Sequence, residues 1–339
     1  MPIRTRATVL YGPNDLRLEE VDLPDLEEKE VLVRVAVDGI CPSGVHAVRD
    51  GIKWGQGMLP GFPGHEFSGE VVEVGEKVEG IKVGDRVVGN VAITCGRCCY
   101  CMSGRENLCS NRRLRYLSWA EHIKIFDFQV HRIPDHVTYE EAAFAEPLAC
   151  ALHGVKRARI KPGDDVLIVG SGPMGLLHLQ LAKKVYGARV IAVDLNEERL
   201  RVARSMGADG TLNPGAEDIV ERVDELTEGI GANSVIVTVG DQKVQEDSLK
   251  FAASGGTVVL FAGIHGVEKP SINVNLKNEV DVRGSFDKTD EDFVRALKLI
   301  CDHVIDLKPL ITHRLPLEKY GEGMEIVERR EGLKVMLYP

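Results

Sequence analysis

The chain has 339 residues, of which 42 are basic and 52 acidic, for a net charge of −10 with 44% hydrophobic residues. Its length exceeds the roughly 100–200 residues usual for one domain and points to two domains with a sizeable core. The acidic balance argues against a nucleic-acid partner, and no run approaches the roughly 18 apolar residues of a membrane span. The amino terminus, Met1-Pro-Ile-Arg-Thr-Arg6, lacks an apolar stretch and a small-residue cleavage site. A cytoplasmic location with reduced cysteines is therefore expected.

Residues 1–147 read as short β-segments broken by glycine and proline, at 31–37, 69–75 and, after a turn, 84–89. This part is expected to be all-β, a barrel-like unit whose loops carry ligands. From 148 to 285, apolar strands at 165–169, 189–193, 234–238, 256–261 and 280–284 alternate with helical stretches at 173–186 and 197–206. Strands buried on both faces read as continuous apolar runs, and alternation with helices implies parallel crossovers, so an α/β doubly wound sheet is predicted. Residues 286–339, with a helix near 290–302 and a strand near 334–337, are too few to fold alone and must return to one of the other units.

Two constellations suit metal. Cys95, Cys98, Cys101 and Cys109 form a C-x2-C-x2-C-x7-C lobe over 95–109. Four thiolates so close together suit a closed, tetrahedral structural zinc site with Cys99 as a spare, although the cysteine run alone also fits an iron–sulfur cluster. Disulfides fit a reducing compartment poorly. The second set is dispersed: Cys41, then Gly64-His65-Glu66, then Glu146. Singly, each has a plain structural explanation. Together they offer soft, borderline and hard ligands to a zinc with an exchangeable position.

After the strand ending at Val169 comes Gly170-Ser-Gly172-Pro173-Met174-Gly175, and Asp194 closes the next strand. Between strand and helix, this is a dinucleotide fingerprint: the glycines allow the tight turn and close backbone approach, and the helix N-terminus faces the pyrophosphate. Asp194 suits the ribose hydroxyls and would repel a 2′-phosphate, so NAD is expected over NADP. Arg199 is the opposing signal, because a guanidinium there could bind that phosphate or stack on the adenine.

In order and spacing, the Cys41 segment, Pro60-x-x-x-Gly64-His65-Glu66, Gly84-Asp85-Arg86-Val87, the cysteine lobe, Glu146-Pro147 and the Gly170 fingerprint resemble the zinc-containing medium-chain dehydrogenase/reductase family. This is the zinc-dependent alcohol dehydrogenase superfamily, and the resemblance spans nearly the whole chain. It implies a GroES-like catalytic domain, a Rossmann NAD-binding domain and an active site in the cleft. It further implies a homodimer or homotetramer, and hydride transfer between a small-molecule alcohol or ketone and the cofactor. The Glu146-Pro-Leu segment is more like the sorbitol (polyol) and L-threonine dehydrogenase branches than the simple alcohol dehydrogenases. That implies catalytic zinc at Cys41, His65 and Glu66, with Glu146 ligating or holding the zinc-bound water. Cys150, one helical turn beyond Glu146, competes for the last position.

Glu66 then reads either as a ligand or as an outer electrostatic partner. Ser43 is placed to take the substrate proton and pass it through the cofactor ribose to His46. Lys334 reads as a surface lysine. Three departures from the family pattern bear on substrate recognition: Gly44 where an acid usually follows Ser43, Ala47 where polyol enzymes often carry an aromatic, and a shortened stretch from Cys109 to Trp119. A zinc-free reductase of this fold generally lacks both metal sets. A non-catalytic dinucleotide binder would be expected to lose a ligand or Ser43, and neither is lost here.

Overall fold

Alternating β-branched residues open the chain as strands. In a computed structural model, which describes residues 3–52, 59–263 and 276–339, β1 (Ile3–Gly12) and β2 (Asp15–Leu23) form an antiparallel pair. There follow β3 (Glu30–Gly39), α1 (Pro42–Asp50), β4 (Phe67–Val74), β5 (Arg86–Gly89), α2 (Cys99–Met102), β6 (His122–Phe126), β7 (Val130–Arg132), α3 (Tyr139–Ala143) and α4 (Ala145–Ala158). Then come β8 (Asp165–Val169), α5 (Pro173–Gln180), extended by a π turn over Leu181–Val185, β9 (Arg189–Val193), α6 (Glu197–Ser205), β10 (Gly210–Leu212), α7 (Ile219–Leu226), β11 (Ala232–Val237), α8 (Gln242–Asp247), β12 (Ala252–Leu260) and β13 (Asp281–Gly284). The chain ends with α9 (Asp290–Cys301), β14 (Ile311–Pro316), α10 (Tyr320–Arg329) and β15 (Lys334–Tyr338).

The chain divides into two units. The first holds residues up to Pro147 with Phe293–His303 and Leu307–Pro339; the second holds Leu148–Asp292 and Val304–Asp306. The division therefore falls at Asp292, beyond the Ser285 expected from the sequence, because α9 begins with its Thr289-to-Asp292 cap still in the second unit.

In the first unit, a seven-stranded sheet runs β14-β15-β3-β4-β5-β7, with β6 also pairing β3. β3 is its spine. Val31, Val33 and Val35 alternate inward against Phe67, Val71, Val87, Ile123 and Ile125, all buried. At ~1.5–3 kcal/mol for each large apolar side chain buried, this core fixes where β3 ends and hence where Cys41 stands.

The expectation of an all-β first part is corrected by α1 and α3. Pro42-Ser43-Gly44 looks turn-like by propensity, yet Pro42 presets the first helical turn, and Val45, Ala47 and Val48 bury one face. Gly51, at φ 68°, closes α1 in the left-handed conformation.

The second unit is a six-stranded parallel sheet in the order β10-β9-β8-β11-β12-β13. Numbered along the unit this is 3-2-1-4-5-6, the doubly wound order whose direction reverses between β8 and β11. The glycine fingerprint follows β8, at that reversal.

Candidate active site and metal centres

In the first unit the cysteine lobe closes on itself. Ligand atoms of Cys95, Cys98, Cys101 and Cys109 all lie within 4.8 Å of one another, with Cys98 Sγ 3.5 Å and Cys95 Sγ 3.9 Å from Cys101 Sγ. Tetrahedral zinc with bonds of ~2.3 Å requires sulfur separations near ~3.8 Å, so the four thiols fit that ion. The short helix α2, capped at Cys98, turns Cys101 toward the others and leaves Cys99 exposed. Backbone N–H groups of Arg97 and Cys98 hold the Cys95 thiol pKa down to about 6, which suits a thiolate ligand.

The second cluster gathers at the end of β3. One ligand atom each from Cys41, His65 and Glu66 lies within 4.8 Å of the others. Cys41 is the residue before α1, and Ser43 Oγ sits 3.1 Å from its Sγ. His46 lies three residues beyond Ser43 on the same helix, so the two share a face. His65 Nδ1 donates to the Pro63 carbonyl at 2.8 Å, which assigns Nε2 to the other side of the ring. Burial works to lower the His65 pKa, but the hydrogen bond and charge of Cys41, with the Glu146 and Glu66 carboxylates, raise it to about 10. Such a donor set holds spare negative charge that a cation would take up, and it mixes sulfur, nitrogen and oxygen as a Lewis-acid zinc site requires. Glu66, 1% exposed, is ion-paired with Lys334.

Glu146 and Cys150 lie one turn apart on α4, outside the Cys41/His65/Glu66 cluster, although the Glu146 charge is felt at His65. Inside the second unit, an Asp287 carboxylate oxygen comes within 4.8 Å of Cys150 Sγ.

In the dinucleotide loop, Gly172 caps α5, Pro173 starts it and Met174 follows in its first turn. A Cβ on Gly175 would overlap the Gly170 carbonyl oxygen, so helix and strand approach this closely only with glycine. Asp194 accepts from Ser171 N at 2.7 Å and from Asn196 N at 2.8 Å, tying the end of β9 to the loop. Arg199 Nη1 lies near Gly172, 3.8 Å from where a Cβ would stand.

Comparisons with known proteins agree with this arrangement. Residues 27–135 match the alcohol dehydrogenase GroES-like domain, and residues 173–302 match the zinc-binding dehydrogenase domain. Sorbitol dehydrogenase of Bacillus subtilis is 32% identical over 100% of this chain and 98% of its own length. L-threonine 3-dehydrogenase of Bacillus velezensis is 33% identical, covering 95% of each. The chain belongs to the zinc-dependent medium-chain dehydrogenase/reductase family. Among solved structures, a Sinorhizobium meliloti protein described as a zinc-binding dehydrogenase, bound to NADP, superposes with TM-score 0.92 at 32% identity, covering 99% of this chain and 100% of that one. The chain is thus a zinc-dependent oxidoreductase of the polyol and alcohol dehydrogenase kind, acting on a small molecule. Among the described residues, no helix is long and apolar enough to cross a membrane.

The sequence reading missed three residues around these clusters. Lys334, read as a surface lysine, is 5% exposed. Asp38, fully buried on β3, accepts the Glu66 backbone N–H at 3.2 Å, and burial pushes its carboxyl up to about 7. Asp287 is the third. For the first two the available signal was a charge beside an apolar run, in Val35-Ala-Val37-Asp38 and Lys334-Val-Met-Leu337.

Proposed function

We propose that this chain interconverts a secondary alcohol (a polyol, sugar or amino-alcohol) and its ketone, with NAD as hydride partner, at the Cys41/His65/Glu66 cluster. The observation that carries this reading is the convergence of thiol, imidazole and carboxylate within 4.8 Å, with the Ser43 hydroxyl 3.1 Å from Cys41 Sγ. Zinc, when bound, supplies Lewis acidity toward the substrate oxygen, and NAD supplies the hydride acceptor. The chain's own residues do the rest. Cys41, His65 and Glu66 would hold the metal, Pro63 fixes the His65 tautomer, and Glu146 would ligate or hold the metal-bound water, with Cys150 its competitor. Ser43 takes the hydroxyl proton, and His46, one turn along α1, carries it toward solvent.

The cysteine lobe holds the structural zinc, the first unit is the catalytic domain and the second the NAD-binding domain. Asp194, held by the loop amides, presents its carboxylate to the ribose hydroxyls, which supports NAD. The guanidinium of Arg199 near Gly172 favours NADP as the second reading. A cytoplasmic homodimer or homotetramer completes the proposal, and sedimentation reads its assembly.

The test is the initial rate of NAD and NADP reduction with polyols, aldoses, L-threonine and simple alcohols, with chelator and after zinc is restored. Highest kcat/KM on a polyol, sugar or threonine, lost with chelator and regained with zinc, is expected. Highest kcat/KM on ethanol or a long aliphatic alcohol, with polyols and threonine inert, overturns the substrate assignment.

A further inference from the structure

The strand that leads into Cys41 also grips the segment carrying His65 and Glu66. The Glu66 carbonyl accepts the Gly39 N–H at 2.9 Å, and in the β3–β4 register Asp38 lies opposite Phe67. A side chain adds a further contact at this point, where Asp38 Oδ1 accepts the Glu66 N–H at 3.2 Å. That N–H belongs to the planar peptide unit joining His65 to Glu66, so the bond fixes the plane from which both side chains leave.

Asp38 has no exposure, no lysine or arginine pairs with it among the described residues, and its Oδ2 has no hydrogen-bond partner there. A carboxyl buried on these terms is costly, whereas Val31, Val33 and Val35 fill buried positions of the same strand without that cost. Packing therefore does not explain Asp38; the amide it receives does. Other contacts hold the preceding residues: the Thr8 hydroxyl donates to the Phe62 carbonyl, and the Ser118 N–H donates to the Gly64 carbonyl at 3.0 Å. Neither of these reaches the His65–Glu66 peptide.

We propose that Asp38 is a positioning residue for the catalytic metal: by accepting the Glu66 N–H it fixes the His65–Glu66 peptide and so sets imidazole and carboxylate at the spacing from Cys41 that one ion requires. This rests on reading Cys41, His65 and Glu66, whose ligand atoms lie within 4.8 Å of one another, as holders of the catalytic zinc. The role belongs to the acceptor oxygen and not to the negative charge. Without that acceptor the peptide turns, and two ligands on adjacent residues turn with it. Groups that orient ligands in this way are typically worth about 10- to 100-fold in metal affinity.

The test compares wild type, Asp38→Asn and Asp38→Leu, each stripped of metal and titrated with Zn2+ and Co2+ against a competing chelator, with thermal unfolding measured in parallel. Wild type is expected to take up two ions per chain. In Asp38→Leu, which keeps the bulk and removes the acceptor, the ion outside the cysteine lobe binds at least about tenfold more weakly and its visible Co2+ spectrum changes, while the ion in the lobe binds as in wild type. Asp38→Asn keeps an acceptor oxygen without the charge, and holds affinity to within about threefold of wild type with an unchanged spectrum. Should Asp38→Leu not fold, Asp38→Ala removes the same acceptor with less bulk and is read in the same way.

If the variant without the acceptor keeps the wild-type affinity and Co2+ spectrum, whatever its thermal stability, Asp38 is merely structural and the proposal falls. It falls equally if Asp38→Asn loses as much affinity as Asp38→Leu, since the charge and not the acceptor is then what the site uses. Both of these outcomes leave two ions per chain in wild type and the zinc reading intact. Uptake of a single ion by wild type overturns that reading and the proposal with it.

Discussion

His178 makes a sharp prediction about acid stability. It lies on α5 with no exposure, its Nδ1–H donating to the Met174 carbonyl at 2.7 Å and its ring edge-on to Phe261 at 4.6 Å between centroids. Nε2 has no hydrogen-bond partner among the described residues. A charged imidazole would be unsolvated there, and burial lowers its pKa from 6.5 to about 4, against the weaker opposing effect of the Met174 carbonyl. The native ring is therefore neutral where the unfolded one takes up a proton. Stability from this residue is complete above about pH 6.5 and is lost as pH falls toward 4, because in that window the unfolded state binds more protons. The loss is about 2 kcal/mol by pH 5 and about 3 kcal/mol once both states are protonated, at ~1.4 kcal/mol per unit.

His178→Asn keeps a donor for Met174 and removes the titration. Its absolute stability falls through the cavity it leaves, so the quantity to compare is the pH slope. Denaturant unfolding followed by circular dichroism between pH 7.5 and 5 should lose about 2 kcal/mol more in wild type than in the variant. Parallel slopes in the two proteins would refute the claim that a buried neutral imidazole governs acid lability.

Other perturbations follow from the same geometry. Lys124 and Glu30, each with a side chain 1% exposed, pair at 2.8 Å in the first unit. Lys124→Met should cost about 1–3 kcal/mol in denaturant unfolding, since the Pro24 and Asp25 carbonyls lose the ammonium they accept from and Glu30 keeps only Arg115, 3.0 Å away. Gly175→Ala places a Cβ against the Gly170 carbonyl. Calorimetric titration should show NAD binding weakened at least about tenfold in a protein that still folds, because helix and loop move apart where the pyrophosphate is received. Cys98→Ser should halve the bound zinc measured by metal analysis and lower Tm, through loss of folding energy held by the closed tetrathiolate site.

Some of this was legible because it is local. The strands of the second sheet stand out since Val166, Leu167 and Ile168 are buried on both faces, leaving no polar alternation to confuse the pattern. The cysteine lobe and the Gly170 loop each lie within a few turns of chain, so spacing alone limits what they can hold. Where tertiary contact decides, the reading failed. Lys334 looks like any strand-end lysine until β15 is laid beside β3, and its partner carbonyl at Ile40 is 294 residues away. The helix at Pro42 was hidden by residues that favour turns in isolation; its buried face against the sheet outweighs their propensity.

Gly44 shows how such contacts change the meaning of a departure from the family pattern. Read along the sequence, the missing acid after Ser43 concerns substrate recognition. In the fold, a Cβ at Gly44 would stand 2.8 Å from Pro63 Cγ and 3.1 Å from its Cβ. Any side chain there must push Pro63 aside, and the Pro63 carbonyl is what receives the His65 Nδ1–H. Glycine at 44 and proline at 63 are thus one packing choice, made where α1 meets the loop carrying His65. The buried acid nearest this cluster on β3 is Asp38, whose charge reaches His65 while its Oδ1 holds the Glu66 amide. A carboxyl group behind the candidate ligands is therefore supplied from the strand, and α1 is left free to pack tightly over Pro63.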